Sequence, residues 1–469
     1  MASVCGTLLK PFEIDNYVEN LECIPIEGMF TERWVKQSCR LIQLSVEVGL
    51  ETSQRREEYV QRSITLHNKG LVTIWHLLMG ESWRLHLLPL VWKHGTPPAS
   101  SLPLMLVLQT ESAALTILES LVFHEESAEV LDALVLDIID YCVRQLTFLT
   151  SYVQYHEGPP YTPEEAFKVA EGAQSNCKSA ESGEETVNTI QGEVSGEKNR
   201  LGMALACRSV AVIQLLTACR SKLPLCAMTS LLQTHDVPQL LATLLQLTPW
   251  KTIHKDTAYD FQDGQWVPEK VTESSGPVNR IEGQIWVTLY TLLMDQETLS
   301  MYELSRGRRA ALLKIQGKLN EAVLSHLPVL EPFAKWLSAL ALTTPQQARQ
   351  PPLVTTVRQL GDGVVSHWTG RWQELFQILA PRCLSPSQGS LSTLATSMSA
   401  AWNLEALEAL LPDIPVCAVC GSPAGRRCSR CRMQWYCRRE CQVKHWPTHQ
   451  SLCDVISAVP SKGETNVIE

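Results

Sequence analysis

The 469-residue chain is short of charge, with 19% charged residues, and the charge it has leans acidic, at a formal net −9. That balance argues against the whole chain being a nucleic-acid binder. The opening residues, MASVCGTLLKPFEIDNYVEN, lack a basic start followed by an apolar run, so no secretory leader is expected. Uninterrupted apolar runs are also missing. LHLLPLVW (85–92) is too short to cross a bilayer, and the run 103–123 is broken by Gln109, Thr110, Glu111 and Ser112. No G-x-x-x-x-G-K-[ST] phosphate loop, G-x-S-x-G elbow, H-E-x-x-H or dinucleotide glycine cluster occurs, and no enzyme is expected. Upstream of residue 417 there is no long basic import cluster; Arg306, Arg308 and Arg309 come nearest. What remains, with 45% apolar residues, is a globular intracellular composition long enough for two to four folding units.

Against this plain background stand sixteen cysteines, seven of them in the 37 residues from Cys417 to Cys453. In a reducing compartment, clustered cysteines bind metal more readily than they form disulfides. The other nine, such as Cys142 and Cys207 on apolar stripes, read as small core residues or idle thiols.

Most of 31–411 carries the period of amphipathic helices. In VLDALVLDIIDYCVRQLTFL (130–149), Leu131, Leu134, Val135, Ile138, Ile139, Cys142, Leu146 and Leu149 recur at steps of one, three or four. Only 256–271 shows aromatic alternation, around Asp263-Gly264, and predicts a hairpin. LHNKGLVTIWHLLMGESW (66–83) and QTHDVPQLLATLLQLTPW (233–250) align Leu77, Leu78 and Trp83 with Leu244, Leu245 and Trp250, in the manner of armadillo or HEAT arrays. The expected fold is all-α: a helical, armadillo/HEAT-like body, regular or irregular, with a small C-terminal double-zinc finger. The expected divisions are an N-terminal helical region 1–156, a polar linker 157–200 with a mobile insert from about 171, a second helical region 201–411, the finger 417–453 and a flexible tail 454–469.

The finger's donors are spaced C-x2-C-x7-C-x2-C-x5-C-x3-C-x7-H-x3-C. Eight soft or borderline donors make two closed tetrahedral zinc sites, and neither leaves a catalytic position open. Donors at i and i+4, as in Cys437/Cys441 and His449/Cys453, share a helical face. Pro447 suits the first turn of a second short helix carrying the latter pair. Interleaved pairing, first pair with third and second with fourth, locks a module too small to fold on its own apolar surface; metal would supply about 10 kcal/mol per site. The finger's formal charge is +6 without metal, leaving −15 elsewhere, and two zinc ions on seven thiolates reduce it to +3. That favours a solvated basic rim or an acidic protein partner over nucleic acid.

The donor spacing resembles the MYND-type zinc finger throughout. The resemblance implies one site of Cys417, Cys420, Cys437 and Cys441 and another of Cys428, Cys431, His449 and Cys453. The x7 and x3 spacings select His449 over His445, which becomes a neighbour of the site. It also implies a proline-peptide groove at Ser429, Gln442 and Trp446, against which stand ordinary packing for Trp446 and a turn hydrogen bond for Ser429. MYND fingers also accompany SET-type lysine methyltransferases, but Gly183-Glu184-Glu185 lies in the polar insert without the companion Asn-His knot.

Beyond the finger, SLVFHEES (120–127), LDIIDYC (136–142), LLQTHDVPQLL (231–241), LTPW (247–250) and EGQIWVTLYTLL (282–293) resemble the zinc finger MYND domain-containing protein 10 family. This resemblance implies a non-enzymatic cytoplasmic adaptor or co-chaperone for preassembly of inner and outer axonemal dynein arms of motile cilia. Its implied partners are a leucine-rich-repeat assembly factor, heat-shock chaperones with an FK506-binding co-chaperone, and dynein chains as clients. Its implied places are the cytoplasm, centriolar satellites or centrosome, and the apical cytoplasm of ciliated cells. The rival reading is a nuclear co-repressor whose finger recruits proline-motif partners.

Overall fold

A computed structural model of the chain describes residues 9–156, 158–167, 183–269, 278–342, 360–361, 363, 366–401, 417–420, 422, 424–430 and 434–458. Two compact units emerge: a body, Leu8–Asn403, and a small unit that holds the finger.

The body opens with α1 (Pro11–Glu19), α2 (Glu32–Ser53), α3 (Tyr59–Leu66), α4 (Gly70–Ser82), α5 (Leu88–Lys93), α6 (Leu102–Phe123), α7 (Glu125–Leu131) and α8 (Val135–His156). It continues with α9 (Gly183–Ala218), α10 (Leu225–Thr229), α11 (Val237–Leu247), a small sheet, α12 (Arg280–Met294), α13 (Gln296–Met301), α14 (Arg306–Ile315), α15 (Glu321–His326), α16 (Glu331–Leu342), α17 (Trp372–Cys383) and α18 (Gln388–Ala401). Side chains of Thr31, Asn279, Ser305 and Asn320 accept from first-turn N–H groups and so fix four of the helix starts.

At the centre lies α6, flanked by α2, α4, α9 and α18. Apart from Phe123 at its exposed C-terminal end, its apolar residues are buried or half-buried all round because it packs between other helices. By length and composition α6 and Thr189–Ala218 could each cross a bilayer, yet about two-thirds of each is buried inside this body.

One apolar core runs from Ile14 to Ala401. The expected division at 157–200 is therefore not a boundary between cores. Residues 183–200 continue into α9, which packs on α6, α8 and α12. The segment looked polar because one apolar residue per turn suffices to seat a helix: Ile190 and Val194 are 8% and 0% exposed. The remainder of the insert, 171–182, lies outside the described residues.

The hairpin forms at Asp263-Gly264, with β2 (Thr257–Gln262) paired antiparallel to β3 (Gln265–Pro268). Both turn residues have positive φ, +48° and +81°, as a tight two-residue hairpin turn requires. A further strand, β1 (Lys251–His254), pairs with β2 through a second such turn at Lys255-Asp256. Trp266 is buried and its indole N–H donates to the Tyr161 carbonyl at 3.1 Å, which pins the sheet to the body.

The two similar segments follow different paths at their tryptophans. After α4 the chain enters a π-helical turn, Trp83–Leu87, whereas α11 stops at Thr248 in the left-handed region; both tryptophans are buried. The array is irregular in another way. An open solenoid's repeats touch only their neighbours, but α17 and α18 return to the start of the chain. Arg382 donates to the Glu27 carbonyl at 2.8 Å, the Ala99 N–H to the Leu384 carbonyl at 2.8 Å, and Trp372 stacks on His86 at 4.2 Å. The Leu360 and Gly361 N–H groups donate to the Asp137 carboxylate.

Where α4, α6 and α8 cross, a polar network forms that is buried except at Arg144, whose side chain reaches the surface. Arg84 forks onto Glu111 at 2.7 and 2.9 Å, and Tyr141 donates to Glu111 at 2.9 Å. Arg144 forks onto Glu81, and Gln145 joins the two pairs by accepting from Arg84 and donating to Glu81. Burial opposes the Arg84 charge, but Glu111 beside it more than compensates and raises its pKa. Gly80 makes room for this crossing. A Cβ there would lie 2.8 Å from the Glu111 Cβ and 3.3 Å from its Cα.

Candidate metal centre

The finger is built around a short ribbon and one helix. β4 (Arg426–Arg427) pairs antiparallel with β5 (Trp435–Tyr436), and α19 (Arg439–Ala458) follows. The Ala418 N–H donates to the Trp435 carbonyl and the Cys428 N–H to the Gln434 carbonyl, so the ribbon holds both leading cysteine turns in place.

Cys417, Cys420, Cys437 and Cys441 come together with all four sulfurs within 4.8 Å of one another. The Cys420–Cys437, Cys437–Cys441 and Cys441–Cys420 sulfurs are 3.4, 3.7 and 3.9 Å apart. A tetrahedral zinc with 2.3 Å bonds to sulfur requires about 3.8 Å between sulfurs. Cys428, His449 and Cys453 form the second cluster, all buried, with the two sulfurs 3.8 Å apart. Cys431, the expected fourth donor, lies outside the described residues. First pair with third and second with fourth is the interleaved order, and it makes one helix serve both clusters.

The electrostatics of the first cluster call for a cation. Burial opposes ionisation of the Cys417 thiol, but the N–H groups of Cys437, Val419 and Cys420 bring it down to about 6. The Cys437 thiol is pushed up to about 12, first by Cys420 beside it. Four thiolates this close need a divalent ion among them. Among the described residues the donors are six thiols and one imidazole, a thiolate-rich set that fits two zinc ions.

One local expectation is corrected. Pro447 does not begin a second short helix; it sits inside α19, which runs unbroken from Arg439 to Ala458. A proline removes one N–H from the helical ladder, and here the His449 and Cys453 donors four residues apart keep their shared face through it. The helix also takes in 454–458, the start of the expected tail, while 459–469 lie outside the described residues.

His445 takes its own role. It is hydrogen-bonded to the Tyr436 hydroxyl at 2.9 Å and stacks on His449 with ring centroids 5.5 Å apart. Of the groove candidates, Ser429 is exposed on the turn after Cys428, while Gln442 and Trp446 are half-buried one turn apart on α19. Trp446 meets His449 edge-on at 6.0 Å. Arg426, Arg427, Arg430, Arg438, Arg439 and Lys444 are exposed and form the basic rim, with Arg427 lying over the Trp435 ring at 4.3 Å. That cation–π contact and the β4–β5 pairing had no signal in the cysteine spacing.

Residues 417–453 match the MYND finger family. A Drosophila melanogaster protein named zinc finger MYND domain-containing protein 10 homolog is 25% identical over 470 aligned positions, which cover 95% of this chain and 98% of that one. Shorter likenesses reach a SET and MYND domain-containing protein of Dictyostelium discoideum (42% over 36 residues, 8% of this chain and 7% of that one) and ubiquitin carboxyl-terminal hydrolase 15 of Arabidopsis thaliana (40% over 53 residues, 11% and 6%). Stretches of that size are too short to bring a catalytic domain with them. No solved structure matches the chain. The chain carries a MYND finger suited to protein interaction and is similar, over nearly the full length of both proteins, to the zinc finger MYND domain-containing protein 10 homolog.

Proposed function

We propose that this protein is a non-enzymatic cytoplasmic adaptor in the preassembly of inner and outer axonemal dynein arms for motile cilia. The finger recruits a leucine-rich-repeat assembly factor. The helical body meets heat-shock chaperones, an FK506-binding co-chaperone and the dynein chains that are their clients. The observation that carries an adaptor reading is the closed first donor set: four thiols fill a tetrahedron and leave no place for a substrate. The chain-length likeness to the Drosophila relative supports the choice among adaptors. Ser429, Gln442 and Trp446 then offer the finger a flat aromatic and an amide for an extended proline-containing peptide.

Affinity recovery from ciliating cells, with intact protein and with Cys441→Ala or His449→Ala, tests this. Dynein chains and assembly factors should accompany the intact protein, and the variants should lose zinc and a defined subset of partners. Unchanged zinc and unchanged partners would refute the zinc-scaffold mechanism. A nuclear population bound to chromatin factors would favour the co-repressor reading instead.

A further inference from the structure

Six serine or threonine residues in the chain precede a proline: Thr96, Thr162, Thr248, Thr344, Ser385 and Ser422. Kinases directed by that proline read an extended, accessible stretch on both sides of the acceptor, so the fold can discriminate among steps that the sequence leaves equal. Thr344 lies outside the described residues. Thr162 caps a short helix, its N–H and hydroxyl both held by the Glu165 carboxylate, and Pro163 is buried. Thr248 ends α11 in the left-handed region, followed by buried Pro249 and Trp250. Ser385 is itself exposed, but Cys383 and Leu384 before it are 1% and 2% exposed. Ser422 hydrogen-bonds Cys420 of the first donor set.

Thr96 differs from all of these. It lies in the loop joining α5 to α6, where Lys93, His94, Gly95, Thr96 and Pro97 are all exposed and burial resumes only at Pro98. Gly95 faces open space, with nothing within 4 Å of where a Cβ would be. Pro97 biases Thr96 toward the extended backbone that a kinase cleft accepts. The neighbouring contacts come from the backbone: the Thr96 N–H donates to the His94 ring at 3.2 Å.

We propose that Thr96 is a phosphorylation site for a proline-directed serine/threonine kinase. The Thr96 hydroxyl oxygen attacks the γ-phosphorus of ATP and forms the new P–O bond. The bond to the bridging oxygen breaks, ADP departs with that electron pair, and the hydroxyl proton passes to the kinase's base. The product carries close to two negative charges beside Lys93 and His94. His94 packs edge-on against Phe376 of α17 at 5.5 Å, and Ala99 of the same loop is bonded to Leu384. The added charge therefore falls on the seam where the returning helices meet the N-terminal half.

The test uses the intact, folded full chain with ATP and a proline-directed kinase, read by whole-protein mass and site mapping. Phosphate is expected at Thr96 of the folded chain. Thr96→Val should abolish it, Pro97→Ala should suppress it while keeping the acceptor, and Ser385→Ala should leave it unchanged. Incorporation only after denaturation, or into Thr162, Thr248 or Ser385 of the folded chain, would overturn the assignment.

Discussion

The body and the finger reach order by opposite means. The body buries apolar residues from Ile14 to Ala401 in one core, and its polar interior is closed by side chains from within, as in the Arg84–Glu111 and Arg144–Glu81 pairs. Among the described residues the finger's buried apolar cluster is mostly the ligands themselves, Cys417, Cys428, Cys441 and Cys453, with Ala424 and Tyr436 beside them. In the body apolar surface does the stabilising and the charges refine register. In the finger the charges are the fold, and a metal ion must join them. The lesson is that cysteine counts mean different things in the two units: in the body burial pushes the Cys142 thiol up to about 12, whereas in the finger crowded neighbours split the thiols, Cys417 falling to about 6 and Cys437 rising to about 12.

That contrast can be broken from either side. The largest effect is expected from metal removal. A chelator strong enough to strip zinc, or Cys441→Ala, should unfold the finger, withdrawing on the order of 10 kcal/mol per site, and leave the body's thermal transition in place. Zinc analysis and calorimetry on the same sample check it. Next comes the body's own charge network. Arg84→Met leaves Glu111 buried without its partner and should cost about 3–5 kcal/mol in the denaturant-induced unfolding of the body, with zinc content unchanged.

Acid should sharpen the difference further. His76 is enclosed, bonded to Gln37, and its pKa is held down to about 4 by burial. The unfolded chain takes up that proton near pH 6.5 and the folded chain does not, so stability is present above 6.5 and lost as pH falls toward 4. The loss at this site amounts to about 3 kcal/mol. Glu51 works in the opposite sense, since burial lifts it to about 7 and its stabilisation fades as pH rises from 4.5 toward 7. His76→Gln isolates the first effect: its stability between pH 6.5 and 4 should fall less steeply than the parent's. The smallest expected effect is Gly80→Ala. Its methyl would press on Glu111 close to the α6 backbone and should cost about 1–3 kcal/mol, read as a lower melting temperature with the finger untouched.

Much of this contrast could be read from the residues alone. Donor spacing is local, so the interleaved clusters, the choice of His449 over His445 and the hairpin at Asp263-Gly264 were all legible. So was the helical body, because leucines at steps of three and four declare it. What escaped had no local signature. Arg84 and Glu111 are 27 residues apart, and nothing near either names the other. The return of Leu384 to Ala99 crosses most of the chain. Residues 183–200 looked like linker because composition averages over a helix whose seat needs only Ile190 and Val194. Pro447 looked like a start because a proline's usual place is the first turn, and the demand that α19 carry donors for both clusters overrides that preference.

The central claim, that metal holds the finger and apolar packing holds the body, meets its most direct test in one titration. Full-length protein is titrated with a zinc chelator while bound zinc, the amide resonances of 417–458 and the melting of the body are followed together. Two zinc ions per chain should leave, the finger resonances should collapse with them, and the body should melt where it did before. A stoichiometry other than two, or a body whose melting tracks the zinc, would contradict the account.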